Sequence, residues 1–451
     1  MSALPTIEQL AAQLDTGRSS ALALTEAALA RARDPAGEGS RVFTQLGAER
    51  ALAAARASDL LRAVGIKRSP LEGLPVSIKD LFDVSGQVTT AGSAVLRDAE
   101  PATENAVVVE RLIAAGAVII GRSNMTEFAF SGLGLNPHYG TPANPWERSQ
   151  RRIPGGSSSG AAVSVSDAMA VVGIGTDTGG SSRIPAALCG ITGFKPTQRR
   201  IPLTGSLPLS GSLDSIGPLG ASVRCCAITD AILAGDKPQA PACRTVEGIH
   251  FAVPDTLVTD GMDPVVSRCF ERALATLARQ GARITSLQIP EFAQLAELHA
   301  RGTFAAAESW AWHRKLLGSR ADAYDPRVVN RIRAGERINV ADYLDLVAAR
   351  QRWISAVEAR IGDYDALLMP TVPVVAPLVE TLEQDDQLYN STNLLMLRNP
   401  TLINFLDGCA LSVPCHAGDE APVGLMVAGT ANTDHFILAL GQGVELALQA
   451  A

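Results

Sequence analysis

Apolar residues recur at helical spacing from Thr6 to about Asp34, with a break at Asp15-Thr16-Gly17, so two amphipathic helices are expected there. The alanine-rich stretch Glu49 to Val64 predicts a third helix, and Pro70 to Gly73 reads as a turn. Leu74 to Ile78 is a short apolar run that ends at Lys79, the pattern of a buried strand. A helix over Asn105 to Ala115 leads into the all-apolar strand Ala117 to Gly121, which implies a sheet covered on both faces. Ser159 to Ala168 predicts a helix, Ala170 to Gly175 a strand, and Ser182 to Leu188 another helix. Proline and glycine punctuate Ile191 to Leu219 into loop and short strands. Further on, helices are expected over Val223–Leu233, Val265–Gln280, Leu394–Phe405 and Thr433–Leu448. Strands are expected over Ile249–Val253, Ala282–Leu287, Asp365–Met369, Leu411–Val413 and Val423–Val427. From Glu291 to about Arg360 the pattern is mostly helical and richer in Trp, Tyr and Arg. Strands alternating with helices, with no repeat or low-complexity tract, predict one α/β domain, residues 1–451. Residues 1–65 would be a helical cover and 290–360 a helical elaboration.

Composition narrows this reading. The chain has 451 residues, 47% of them apolar, and no apolar run long enough to cross a membrane. The net charge of −7, with acids and bases interspersed, argues against a nucleic-acid partner. The N-terminal residues lack the basic and apolar regions of a secretory signal. Seven cysteines without metal-like spacing fit a reduced cytoplasm, and Cys225-Cys226 read as structural thiols. No histidine–carboxylate cluster calls for a metal, and no motif calls for a cofactor.

Candidate chemistry is concentrated between Arg152 and Arg183, where two serine-glycine clusters flank a run of small residues. Glycine beside serine frees the backbone for tight turns and exposes N–H groups that can face an anion. A serine nucleophile in the second cluster, set in a nest of backbone donors, is the first expectation. Gly156-Ser157-Ser158-Ser159-Gly160 also fits G-x-S-x-G, which would nominate Ser158, but Arg151-Arg152-Ile153-Pro154 is a poor strand to precede such an elbow. Gly173-Ile174-Gly175 starts a dinucleotide-loop pattern, yet Thr178 stands where its third glycine belongs.

A serine hydroxyl needs a base, and the histidine nearest the clusters, His138, sits in a Pro/Gly loop. Only five of the 39 basic residues are lysines. A buried lysine can release its proton and an arginine cannot, so a lysine inside an apolar segment becomes the candidate base. Lys79, in L-P-V-S-I-K-D, fits best, although Asp80 and Asp83 would oppose its neutralisation; Lys195, in G-F-K-P-T, is second.

Taken together, V-S-I-K-D (76–80), P-G-G-S-S-S-G (154–160), G-T-D-T-G-G-S-S-R-I-P-A (175–186), G-F-K-P-T (193–197) and S-L-D-S-I-G-P-L (212–219) resemble the amidase signature family. The resemblance implies a central mixed β-sheet with residues 66–220 as its catalytic core. It implies a Ser–cis-Ser–Lys triad of Ser181, Ser157 and Lys79, with a cis peptide between Gly156 and Ser157. It implies an oxyanion hole from Thr178, Gly179, Gly180 and Ser181, and a pocket wall at Phe128 to Gly132 that offers Ala129, Phe130 and Ser131 to a substrate. Arg183 would either orient an anionic substrate or form a structural ion pair. Trp310, Trp312, His313, Tyr324, Arg327 and Arg331 would shape the cavity or form a plain helical surface. The implied activity is hydrolysis of a small carboxamide through an acyl-enzyme, with no cofactor; homodimers are common among similar proteins, although the sequence itself does not give the oligomeric state. The glutaminase component of a glutamine-dependent tRNA amidotransferase has similar motifs, but Ile184 and Gln198 depart from its usual pattern. A catalytically silent binding protein on the same fold is the remaining reading.

Overall fold

A computed structural model gives the fold and describes residues 4–450. Among these residues eleven strands form one sheet. In chain order they are β1 (Phe43–Leu46), β2 (Pro75–Lys79), β3 (Val118–Ser123), β4 (Val172–Asp177), β5 (Thr192–Lys195) and β6 (Ser215–Gly220). The later five are β7 (His250–Pro254), β8 (Arg283–Leu287), β9 (Ala366–Pro370), β10 (Cys409–Pro414) and β11 (Gly424–Gly429). Across the sheet they stand in the order β1-β3-β2-β4-β6-β5-β10-β11-β9-β7-β8. The group β3-β2-β4 is parallel, and so is β9-β7-β8; antiparallel pairs join the two groups and add β1 at one edge.

Strands buried on both faces read as continuous apolar runs, which is why β2 and β9 were legible. All five residues of each are buried. Side chains then alternate between two cores. In one half of the sheet Val76, Ile78, Val172 and Ile174 face one core, and Val118 and Ile120 face another. In the other half Leu425 and Val427 face one core, and Met426 and Ala428 the opposite one.

Most predicted elements lie within a residue or two of the observed ones. Two differ for physical reasons. β1 is short and polar, Phe-Thr-Gln-Leu, so it carries no alternation; antiparallel pairing with β3 alone makes it a strand. The helix expected from Leu394 begins at Asp386, because Asp385 caps it by accepting from the N–H groups of Gln387 and Leu388. Its first turns are mostly polar, and the apolar period was therefore silent.

The helix Ser159–Ser166 shows no amphipathic stripe: its first seven residues are all buried. It packs by close backbone approach rather than by an apolar stripe. A Cβ on Gly160 would stand 2.4 Å from the Val42 carbonyl oxygen and 2.6 Å from the Asn124 nitrogen. Only glycine fits there, and the approach brings the residues just before the helix, Ser157 and Ser158, against the ends of the parallel strands.

Candidate active site

In parallel sheets the carboxyl ends of the strands open onto a common edge where ligands bind. Lys79 is the last residue of β2 and Asp177 the last of β4, and β2 pairs with β4 in parallel register, Ile78 opposite Ile174. Lys79 thus reaches the edge from which the second serine-glycine cluster departs. Its Nζ donates to Ser157 Oγ at 2.8 Å and to Thr176 Oγ1 at 2.8 Å. The Gly156–Ser157 peptide is cis, and Ser157 is fully buried. Ser158 N–H donates to the Ser181 carbonyl at 3.2 Å, which ties the two clusters together through their backbones. The Ser181 side chain makes no hydrogen bond among the described residues, and at 3% exposure the residue retains slight access to solvent.

The lysine–Ser157 contact is formed, and the Ser158 N–H bond to the Ser181 carbonyl holds the Ser181 backbone against the same cluster, its hydroxyl uncommitted among the described residues. Burial pushes the Lys79 amine down to about 7, against the pull of the Asp214 and Asp177 carboxylates. The carboxylates that oppose neutralisation are therefore not the sequence neighbours. Asp80 is ion-paired with Arg122, and Asp83 accepts from the Thr89 hydroxyl at 2.7 Å.

The turn from Asp177 to Ser182 is organised by Asp177. Burial acts to raise this carboxyl, but the Arg183 guanidinium prevails and holds it well below the usual carboxylate range. Asp177 also accepts from the N–H groups of Gly180 at 2.8 Å and Ser182 at 3.1 Å. The Gly180 N–H is thereby committed, which removes it from the four expected oxyanion donors. The N–H groups of Thr178, Gly179 and Ser181 take no partner among the described residues.

Arg183 is likewise redirected. It is fully buried, with Nε and Nη2 on Asp177 at 3.0 and 2.9 Å and Nη2 also on Asn404 Oδ1 at 2.6 Å. Such a guanidinium is an internal strut, so the structural ion pair replaces the substrate-binding role. Ser131 is similar: its hydroxyl donates to Asn393 Oδ1 at 2.9 Å and accepts from the Leu133 N–H at 3.1 Å. It fastens the wall to the helix Asp386–Phe405 instead of standing free for a substrate.

The wall itself is a tight 3-10 turn, Glu127–Ala129. Phe128 and Ala129 hold φ values of 48° and 62°, a region uncommon for residues with a Cβ. Ala129 lines a cavity of about 30 Å3 with Thr176, Thr178 and Asp214, and Phe130 is buried just behind it. Phe128 packs on His313 and Tyr324, with ring centroids 4.4 and 5.3 Å apart, and on Trp312. Burial lowers the His313 imidazole to about 4, so it is neutral near pH 7. Arg327 and Arg331 stack over Tyr389 instead, joining the helices Pro326–Ala334 and Asp386–Phe405. Lys195 is buried, and its Nζ donates to the carbonyls of Pro196 and Gly408, each at 2.7 Å. A larger depression, about 1330 Å3, lies elsewhere, among Arg31, Arg148, Arg272 and Glu445, and holds none of the three candidate residues.

Sequence reasoning placed Thr176, Asp177 and Asp214 inside motifs but gave them no task. The signal lay in their chemistry: polar side chains in segments otherwise buried must find partners. Asn393 and Asn404 carried no local signal at all.

Lys79 ends β2 and the Ser181 turn follows β4, so both stand at the carboxyl edge of a mixed α/β sheet, with Ser157 bonded to the lysine. The comparison with known proteins goes further. The amidase family model matches residues 23–438, and this chain belongs to that family. It is 36% identical over 401 residues to a 2-amino-5-chloromuconic acid deaminase of Comamonas testosteroni, covering 88% of this chain and 86% of that protein. It is 34% identical over 477 residues to the A-type component of the glutamyl-tRNA(Gln) amidotransferase of Chloroflexus aggregans, covering 98% and 96%. The crystal structure of an amidase superposes with a TM-score of 0.88 at 34% identity, covering 98% of this chain and 99% of the other. The enzyme is thus an amidase, a hydrolase of amide C–N bonds.

Proposed function

We propose that this amidase cleaves a small carboxamide through an acyl-enzyme on Ser181, with Ser157 as proton relay and Lys79 as base. The observation that carries the reading is the buried Lys79 Nζ–Ser157 Oγ hydrogen bond at 2.8 Å, one cluster away from an uncommitted serine hydroxyl. A lysine held near 7 is neutral in half the molecules at that pH and can accept a proton. Ser181 Oγ attacks the amide carbon while its proton passes through Ser157 to Lys79. The oxyanion is met by the N–H groups of Thr178, Gly179 and Ser181, with Gly180 left to its carboxylate. Donors fixed in advance at such a position are each worth about 3–4 kcal/mol of transition-state stabilisation. Lys79 then returns the proton through Ser157 to the leaving nitrogen, and ammonia or an amine departs. Water, activated by the same path, cleaves the acyl ester.

Phe128 to Ser131 forms one wall of the substrate site, with Ala129 nearest the reacting groups, and the helices between 290 and 360 back that wall through Phe128. The deaminase relative favours a substrate that is a small organic amide or enamine-like C–N compound. The amidotransferase relatives favour a second reading, a glutaminase that works within a complex, because they match nearly the whole chain.

Ammonia release from a panel of aliphatic, aromatic and carboxylate-bearing amides, with glutamine among them, tests both. Turnover of small amides by the isolated chain supports the first reading. Turnover of glutamine alone supports the second. A fluorophosphonate probe that fails to label Ser181 in the folded protein would sink both and leave a silent binding protein.

A further inference from the structure

Asp214 is a charged residue at this site to which the proposed reaction assigns no step. It precedes β6, which runs antiparallel to β4 and places Ser215 opposite Asp177. At 6% exposure it borders the small cavity that Ala129, Thr176 and Thr178 also line. Its Oδ1 accepts from the Thr178 hydroxyl at 2.6 Å, and Oδ2 accepts from the N–H groups of Leu209 and Ser210 at 2.9 and 3.0 Å. Thr176, on the same cavity, is the second acceptor of Lys79 Nζ beside Ser157. Asp214 therefore grips the first residue of the nucleophile turn, and the cavity it borders is lined by Thr176, whose hydroxyl meets the Lys79 amine.

The other charges around the lysine are already matched. Asp177 is paired with Arg183, with Lys195 beyond it, and Asp80 is paired with Arg122. Asp214 pairs with no cation among the described residues. Its loop is fastened from the helical elaboration by Glu308, which accepts from Ser210 Oγ at 2.7 Å, Ser212 N–H at 3.1 Å and Tyr343 Oη at 2.6 Å.

We propose that Asp214 is a positioning residue of the amidase reaction. It sets Thr178, and with it the oxyanion turn, through the threonine hydroxyl, and its negative charge keeps Lys79 basic enough to accept the relayed proton. Burial alone would make the amine a poor acceptor; a nearby unpaired anion restores part of its proton affinity and stabilises the ammonium formed on acylation. Burial raises Asp214 itself to about 6, against the Thr178 hydroxyl and the Ser210 and Leu209 N–H groups, so it is mostly ionised where the enzyme needs it. The inference rests on the assignment of Ser181, Ser157 and Lys79 as the reacting triad.

The experiment is the rate of Ser181 phosphonylation by a fluorophosphonate probe, followed by intact mass from pH 5 to 10. In the wild type the rate should rise through an acidic limb near 7 as Lys79 loses its proton. In Asp214→Asn the limb should move to lower pH by about half a unit or more, and the limiting rate should fall about tenfold. A carboxylate with only a structural role would lower the rate at every pH and leave the limb in place, and that result in a folded variant overturns the proposal. If Asp214→Asn does not fold, Thr178→Val and Thr178→Ser decide. The valine variant should lose about tenfold in limiting rate and the serine variant should recover it, whereas equal rates in all three proteins would overturn the proposal. Absence of labelling in the wild type would fall on the acyl-enzyme assignment instead.

Discussion

The two parallel groups of the sheet are built on opposite plans. Around β3-β2-β4 the packing relies on small residues and buried polar groups. Gly160, Gly173 and Gly217 let backbones approach to distances a side chain would forbid, and Lys79, Ser157, Thr176, Asp177 and Arg183 are buried with partners. Around β9-β7-β8 the packing is ordinary. The helix Pro264–Arg279 turns Val266, Cys269, Phe270, Ala273 and Leu277 inward, and the edge strand β8 leaves much of its surface to solvent. Apolar burial there contributes stability without specifying any reactive geometry. The first region holds charges in low dielectric, where each must be satisfied and each is strongly coupled to its neighbours. Burial there is what gives an amine of lowered basicity, against the pull of its carboxylate neighbours, and the second region has no use for it.

The largest way to break this contrast is Ser181→Ala, which should reduce amide hydrolysis by about 10^4-fold or more while leaving the melting temperature within a few degrees of wild type. Lys79→Ala should cost several orders of magnitude in acylation, read as the burst of probe labelling in a protein whose circular dichroism is unchanged. In the wild type kcat/KM should rise with pH through about 7, because the neutral amine is the active form; the limb should vanish in Lys79→Ala. Retained activity in the folded variant would remove Lys79 from the mechanism.

Stability sharpens the comparison further. Gly217→Ala places a Cβ 2.0 Å from the Phe194 carbonyl oxygen, so chemical denaturation should show a loss of about 3 kcal/mol or more. Phe270→Ala removes a buried ring in the other half, and the loss should be about 3 kcal/mol with the pH profile of the surviving activity unmoved. A shift of the acidic limb in Phe270→Ala would mean the two halves are electrostatically linked, contrary to this division.

How far the sequence could be read follows the same line. In the β9-β7-β8 half, periodicity alone located strands and helices, because an amphipathic helix over a sheet writes its burial into its spacing. In the β3-β2-β4 half, apolar runs located the strands, but spacing was uninformative for the helix that carries the first cluster: Ser159–Ser166 is buried nearly all round and has no stripe. There the motifs carried the reading, because turns that expose backbone donors demand glycine and serine at fixed positions. The residues that failed to be foreseen are those whose role depends on a distant partner. Asn393 reaches Ser131 and Asn404 reaches Arg183 from more than two hundred residues away in the chain.

By itself the sequence determined the fold class and the family, and nominated Lys79, Ser157 and Ser181 for the proposed proton path, since residue type and local pattern constrain those. Tertiary structure alone decided which charges act on Lys79, that Arg183 serves Asp177, and that the Gly180 N–H is already taken. Each of these is settled by distance and burial, and neither quantity is written in the order of residues along a chain.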